Sequence, residues 1–214
     1  MQGQYLMAMI AVLSRCFVVF CCLPIHELAH GLMAYALGDR TAKNQGRLSL
    51  NPLAHLNPLG TIMIFLFGIG YANPVPINPR NFKNVKGGMA LTALAGPSAN
   101  LLMGFVSVWG YYIFARIGTG NSFLQAVAMF FLYAAQINVM LAVFNLLPIP
   151  PLDGSKIIAA VLPDKAYYKY MMYERSIMIA LMLLLFIGVL DTPISFLTSV
   201  LMRFISIIPA LIFG

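Results

Sequence analysis

The chain has 214 residues, of which 61% are hydrophobic and only 9% charged, whereas a soluble domain carries about 25% charged residues. That excludes an ordinary soluble enzyme and describes an integral membrane protein, with length for roughly five or six crossings and no sizeable soluble domain. The net charge of +7 fits basic loops flanking membrane spans on the cytoplasmic side, so no nucleic-acid partner is expected.

Residues 5–38 read as one long helical stretch ending at Gly38-Asp39. Arg15 lies about 16 Å before His26 along a helix and marks the far interface. Cys16, Cys21 and Cys22 lack metal or disulfide spacing and read as small apolar fillers, with Cys22 only a remote ligand because it shares a face with His26. No cleavable signal peptide is expected, since this first apolar segment carries the chemistry. Pro24 should loosen the helix just ahead of His26-Glu27-Leu28-Ala29-His30, an HExxH motif. Residues i and i+4 share one helical face, so His26 and His30 can grip one metal ion. Glu27 projects about 100° round the helix, beside the metal, where it can take a proton from water. Two histidines and a glutamate in apolar sequence are costly unless they meet a metal, water or one another.

Residues 39–57 are polar and basic, and Leu48-Ser49-Leu50 alternates as a short strand would. Asn51-Pro52 and Asn57-Pro58 mark turns. Residues 59–72 are apolar but too short to span comfortably. They are expected to dip in and return, because the flanking basic loops 39–57 and 73–88 then share one side. Asn73-Pro74-Val75-Pro76-Ile77-Asn78-Pro79 is held extended by its prolines and could offer an edge to a substrate backbone.

The next span, 88–114, contains Gly96-Pro97-Ser98-Ala99-Asn100. Gly96 and Pro97 are expected to break it, and Asn100 is a buried amide needing partners. Residues 122–147 span again with Gln125, Gln136, Asn138 and Asn145, some of which should line a wet cavity together with Asn100. Prolines end that span, a short helix is expected over 155–162, and 174–190 and 194–213 are two final spans. Loops 39–57, 73–88 and 148–172 hold Arg40, Lys43, Arg47, Arg80, Lys83, Lys86, Lys156, Lys165 and Lys169, nine of the 13 basic residues. That side is cytoplasmic, the N-terminus lies outside, and the site opens toward the cytoplasm. His26, His30 and Asp153 then approach the same face. A catalytic zinc wants three protein ligands. His55 and Asp153 are both open as the third, while Asp39 would require the chain to double back. Asp153 could equally be a plain helix cap, and His55 a hydrogen-bonding partner behind the ligands.

Taken together, the HExxH motif, Gly96-Pro97-Ser98-Ala99-Asn100 and Asn145-Leu146-Leu147-Pro148-Ile149-Pro150-Pro151-Leu152-Asp153-Gly154 resemble the site-2 protease family of intramembrane zinc metalloproteases, over roughly residues 20–160. The segments around His55 and Pro74–Pro79 are similar to its compact prokaryotic branch, without PDZ or CBS domains. The resemblance implies one Zn2+ per chain on His26, His30 and Asp153, Glu27 as general base, and Asn145 holding substrate or the developing oxyanion. It also implies membrane-spanning protein substrates and a multi-pass protein of a prokaryotic cell membrane. The expected fold is an all-α polytopic membrane protein: one domain over 1–214, about five transmembrane helices, and a re-entrant or short-strand segment near 48–80. His55 and Asn100 are possible supports behind the ligands. A membrane transporter, or a non-catalytic scaffold binding membrane partners, is the alternative.

Overall fold

The computed structural model of the protein describes residues 2–67 and 73–213. Helix α1 (Gln2–Phe17) runs through a π-helical turn (Val18–Cys22) into α2 (Leu23–Ala36). The Leu23 N–H bonds back to the Val18 carbonyl, and Pro24 sits in the first turn of α2, where its missing N–H is not needed. The loosening expected ahead of HExxH is therefore a π turn inside one long rod.

Short helices α3 (Thr41–Asn44), α4 (Pro52–His55) and α5 (Pro58–Phe67) follow, then a 3₁₀ turn (Pro79–Asn81). The long α6 (Val85–Ile117) and α7 (Ser122–Leu146) come next. After them come α8 (Asp153–Ala159), α9 (Asp164–Met172), α10 (Glu174–Phe186) and α11 (Asp191–Phe213). The rod, α6 and α7 pack together, with α8 docked on α6 and α11 against α6 and α7. An apolar core of Val18, Val19, Cys22, Leu23, Ile64 and Leu141 binds the π turn to α5 and α7.

Among the described residues, four helices are long and apolar enough to cross a membrane: Gly3–Ala36, Val85–Ile117, Ser122–Leu146 and Asp191–Phe213. The chain is a multi-pass membrane protein. The fifth expected span, 174–190, is the 13-residue α10; at 1.5 Å per residue it covers about 20 Å of a core about 30 Å thick. It stops where Gly188 takes φ +80° and its N–H bonds the Leu185 carbonyl.

Three further expectations are corrected. Gly96 and Pro97 do not break their span, because α6 runs unbroken through both; proline removes one ladder bond, and close packing on both sides carries the helix past it. Leu48-Ser49-Leu50 is not a strand, and no strand occurs among the described residues. Leu48 instead lays its side chain against Gly31, where a Cβ would come within 2.4 Å of Leu48 Cδ2. The short helix after the prolines covers 153–159 rather than 155–162.

The described part of the expected re-entrant segment is α5, ten residues long, and its return limb at 68–72 lies outside the described residues. Arg15, expected at the far interface, donates from Nη1 to the Phe65 carbonyl at 2.7 Å near the end of α5. At the other end, Asn73 donates from its backbone to the His55 carbonyl at 2.6 Å and from Nδ2 to that of Leu56 at 2.8 Å.

The extended segment after Asn73 is fastened by charge rather than by a sheet. Arg47 Nη2 donates to the carbonyls of Asn73 (3.0 Å) and Pro74 (3.3 Å). Asp39 is fully buried and accepts four hydrogen bonds: from Thr41 N and Oγ1, Asn78 N and Asn81 Nδ2. Burial pushes the Asp39 carboxyl pKa up, but the bonds from Thr41, Asn81 and Asn78 outweigh it and hold it below its ordinary value. Asp39 is thus a clip between two loops, not a ligand. Asp39→Ala should lower stability by about 2 kcal/mol near neutral pH, the cost of stranding buried donors. Because the folded pKa is depressed, this stabilisation is complete above the unfolded carboxylate value near ~3.9 and is lost as pH falls through the folded one. Melting of the detergent-solubilised protein should therefore separate wild type from Asp39→Ala at neutral pH and bring them together in acid.

Candidate metal centre

Helical periodicity alone puts His26 and His30 one turn apart on α2, and packing decides where their rings point. Both imidazoles press onto α6 at Gly96, where a Cβ would fall 2.3 Å from His30 Nε2 and 2.6 Å from His26 Cε1. His30 Nδ1 lies 2.7 Å from the Thr92 carbonyl. A carbonyl can only accept, so Nδ1 carries the hydrogen and Nε2 of the neutral ring keeps its lone pair.

The third group arrives on α8. Gly154 lets this helix press against the end of α7, since a Cβ there would sit 2.3 Å from the carbonyl oxygens of both Leu146 and Leu147. Leu152 holds the N-cap position with no side-chain cap bond, so Asp153 is not a cap. Its Oδ2 lies 3.4 Å from His26 Nε2 and 3.1 Å from His30 Nε2, and the two Nε2 atoms are 3.0 Å apart. Oδ1 faces Lys156 Nζ at 3.4 Å.

The three donors fit a zinc-sized ion. Ligands about 2.0–2.1 Å from a tetrahedral metal stand roughly 3.3–3.4 Å from each other, close to the 3.0–3.4 Å edges of this triangle. The donor set, two imidazoles and one carboxylate, is one that catalytic zinc takes. Among the described residues, His26, His30 and Asp153 form the one such group, and all three are buried. Glu27, also buried, accepts the Val75 N–H at Oε2 (3.0 Å), which ties it to the extended segment. The triangle, Glu27 and Asn145 line one cavity of about 800 Å3 whose remaining wall is mostly apolar, including Leu23, Met63, Phe144 and Met178.

Residues 112–188 match the family model for peptidase family M50. YwhC of Bacillus subtilis is 44% identical over 141 residues, 65% of this chain and 64% of YwhC. Rip2 of Mycolicibacterium smegmatis is 29% identical over 161 residues, 71% of this chain and 57% of Rip2. MJ0611 of Methanocaldococcus jannaschii is 32% identical over 156 residues, 69% of this chain and 74% of MJ0611. All three bear provisional names as zinc metalloproteases. The chain belongs to peptidase family M50. It spans less than two thirds of the length of the first two relatives, 64% and 57%, and no solved structure matches it.

The segment of this M50 chain that matches the family model holds Asn145 and Asp153, while His26–His30 precede it. Of the other expected site residues, His55 is fully buried on α4, but its Nε2 bonds the Ser49 carbonyl at 2.8 Å and it is not in the triangle. Asn100 is buried one turn beyond Gly96 on α6. Cys22 is no ligand, since its Sγ accepts from Asn138 Nδ2 at 3.4 Å. Of the four amides in α7 only Asn145 lines the cavity; Gln125 and Gln136 are exposed, and Asn138 serves the core. Sequence reasoning missed the Thr92 carbonyl, the Val75 N–H and the space at Gly96. Lys156 alone left a signal, a basic residue at i+3 from the acid. Gly96→Ala should displace the imidazoles and weaken binding of a divalent transition metal at least about tenfold, measured by competition with a chelator of known affinity.

Proposed function

We propose that this M50 chain is an intramembrane zinc metalloprotease that hydrolyses peptide bonds of membrane-spanning proteins within or near the bilayer. The observation that carries the reading is the buried His26, His30 and Asp153 triangle, with Glu27 in the same apolar cavity. One zinc per chain is held by these three side chains. When bound, zinc acts as a Lewis acid toward a carbonyl and makes water acidic enough to attack near neutral pH.

Glu27 is the general base. With Oε2 held by Val75, its other oxygen takes the proton of the attacking water and returns it to the leaving amine. Thr92 keeps His30 in the tautomer that presents Nε2. Asn145, at the cavity wall, donates to the substrate carbonyl as negative charge develops on it. The apolar wall suits a transmembrane segment, which must unwind locally to expose its amide.

The whole chain acts as one domain, with its catalytic core over about 20–160 and α10 walling the cavity through Met178 and Leu181. It lies in a prokaryotic cell membrane with its N-terminus outside and the site toward the cytoplasm, which the nine basic residues of loops 39–57, 73–88 and 148–172 support. The re-entrant reading of 59–72 is supported by the bonds that tie Asn73 back to His55 and Leu56.

The test pairs metal content with cleavage of a reconstituted single-span protein. Glu27→Gln should retain about one zinc per chain and lose at least about 10²-fold in cleavage rate, while Asp153→Ala should lose zinc affinity tenfold or more. Cleavage surviving in Glu27→Gln would remove its role as base. A wild-type chain that takes up no zinc, but alters proton flux with no cleaved product, would favour the transporter instead.

A further inference from the structure

Two corners of the metal triangle are braced from behind, and one is not. His30 Nδ1 donates to the Thr92 carbonyl, and Asp153 Oδ1 faces Lys156. His26 Nδ1 is buried and has no hydrogen-bond partner among the described residues. A neutral imidazole that offers Nε2 to a metal must carry its hydrogen on Nδ1. His26 therefore brings a buried N–H that needs an acceptor, and ligating histidines almost always have one.

The acceptor is suggested by α6. Asn100 is fully buried, and neither its Oδ1 nor its Nδ2 has a partner among the described residues. His30 meets α6 at Thr92 and at Gly96, and His26 meets it at Gly96. Moving back along α2 from His30 to His26 is thus moving forward along α6, so the two helices are antiparallel here. The next residue on that face of α6 is Asn100, four after Gly96. Side chains on a helix lean toward its N-terminus. Asn100 therefore leans back over Gly96, and His26 leans toward the start of α2. Both lean into the same space, which Gly96 leaves clear for lack of a side chain. Thr92 Oγ1 is also buried without a partner, but it belongs to the level of His30, two turns of α6 from Asn100.

We infer that Asn100 is the positioning residue for His26. Its Oδ1 accepts the Nδ1–H, directly after a side-chain rotation or through one buried water, and so turns Nε2 toward the triangle. The Thr92 carbonyl does the same for His30, so one face of α6 sets both rings. This inference rests on the metal reading of the site.

The experiment measures zinc affinity by chelator competition on the full chain in detergent, for wild type, N100L, N100D and H26A, with the melting temperature of each zinc-free protein. N100L removes the acceptor at similar volume and should weaken zinc binding about 10- to 100-fold. N100D keeps an oxygen acceptor and should stay within about threefold of wild type, well short of the loss seen on removing the acceptor. A residue that only packs would give equal zinc losses in N100L and N100D, following their melting temperatures, and that result overturns the proposal. So does N100L binding zinc like wild type while H26A does not; the metal reading then stands and Asn100 is only filler. If wild type binds no zinc, the metal reading fails and this inference with it. Should N100L not fold, N100A replaces it, and N100A matching wild type in zinc affinity overturns the proposal.

Discussion

Everything in this fold that bears on chemistry depends on one crowded fact: three lone-pair donors face each other at 3.0–3.4 Å inside an apolar protein. Two imidazole Nε2 atoms and a carboxylate oxygen cannot satisfy one another without a shared cation, proton or metal. Burial therefore turns the triangle into a site with strong demand for positive charge at its centre. The charge beside it, Lys156, engages the outer oxygen of Asp153 and leaves the inner one to the histidines. Three helices from distant parts of the chain must agree for this to exist. α2 supplies the rings, α6 the surface on which they lie, and α8 the acid.

The same scarcity of polar groups governs the loops. The chain has only six acidic residues, and three of them hold the region around the cavity in shape. Glu27 grips Val75, Asp39 gathers Thr41, Asn78 and Asn81, and Asp153 closes the triangle. Arg47 adds the carbonyls of Asn73 and Pro74. The proline-rich stretch therefore needs no sheet to stay extended. Its backbone is held by side chains whose desolvation those bonds compensate. Because Glu27 is one of those side chains, the stretch and the carboxylate are positioned together, and a shift of one moves the other.

What could be read from the sequence divides along the range of the interaction. The pairing of His26 with His30 follows from helical periodicity, a local rule, and the apolar spans follow from composition. The choice between His55 and Asp153 does not, because it depends on how α8 returns to α2, and only basic-loop counting and the family resemblance bear on it. The alternation in Leu48-Ser49-Leu50 was misleading for the same reason: a strand needs a partner, and Leu48 found Gly31 instead. Amides in an apolar span suggested a wet cavity, yet helix rotation scattered Gln125 and Gln136 outward, Asn138 into the core, and Asn145 alone to the cavity. Length misjudged 174–190 because hydropathy continues past Gly188, where the backbone turns left-handed and the helix stops.

Gly96-Pro97 is the most instructive case. As a dipeptide it reads as a break, and α6 runs straight through it. A single proline in a long, well-packed helix costs one ladder bond, about 3 kcal/mol or more in an isolated helix, and neighbours on both sides restrain the bend. The glycine is there for what it lacks. A Cβ at 96 would meet the imidazole rings of His26 and His30, whereas a Cβ at 154 would meet the carbonyls that end α7. The first would yield by turning the imidazoles, and the second by lifting α8 together with Asp153. Either motion opens the triangle, so two glycines that touch no metal set its size as firmly as the three residues that would hold one.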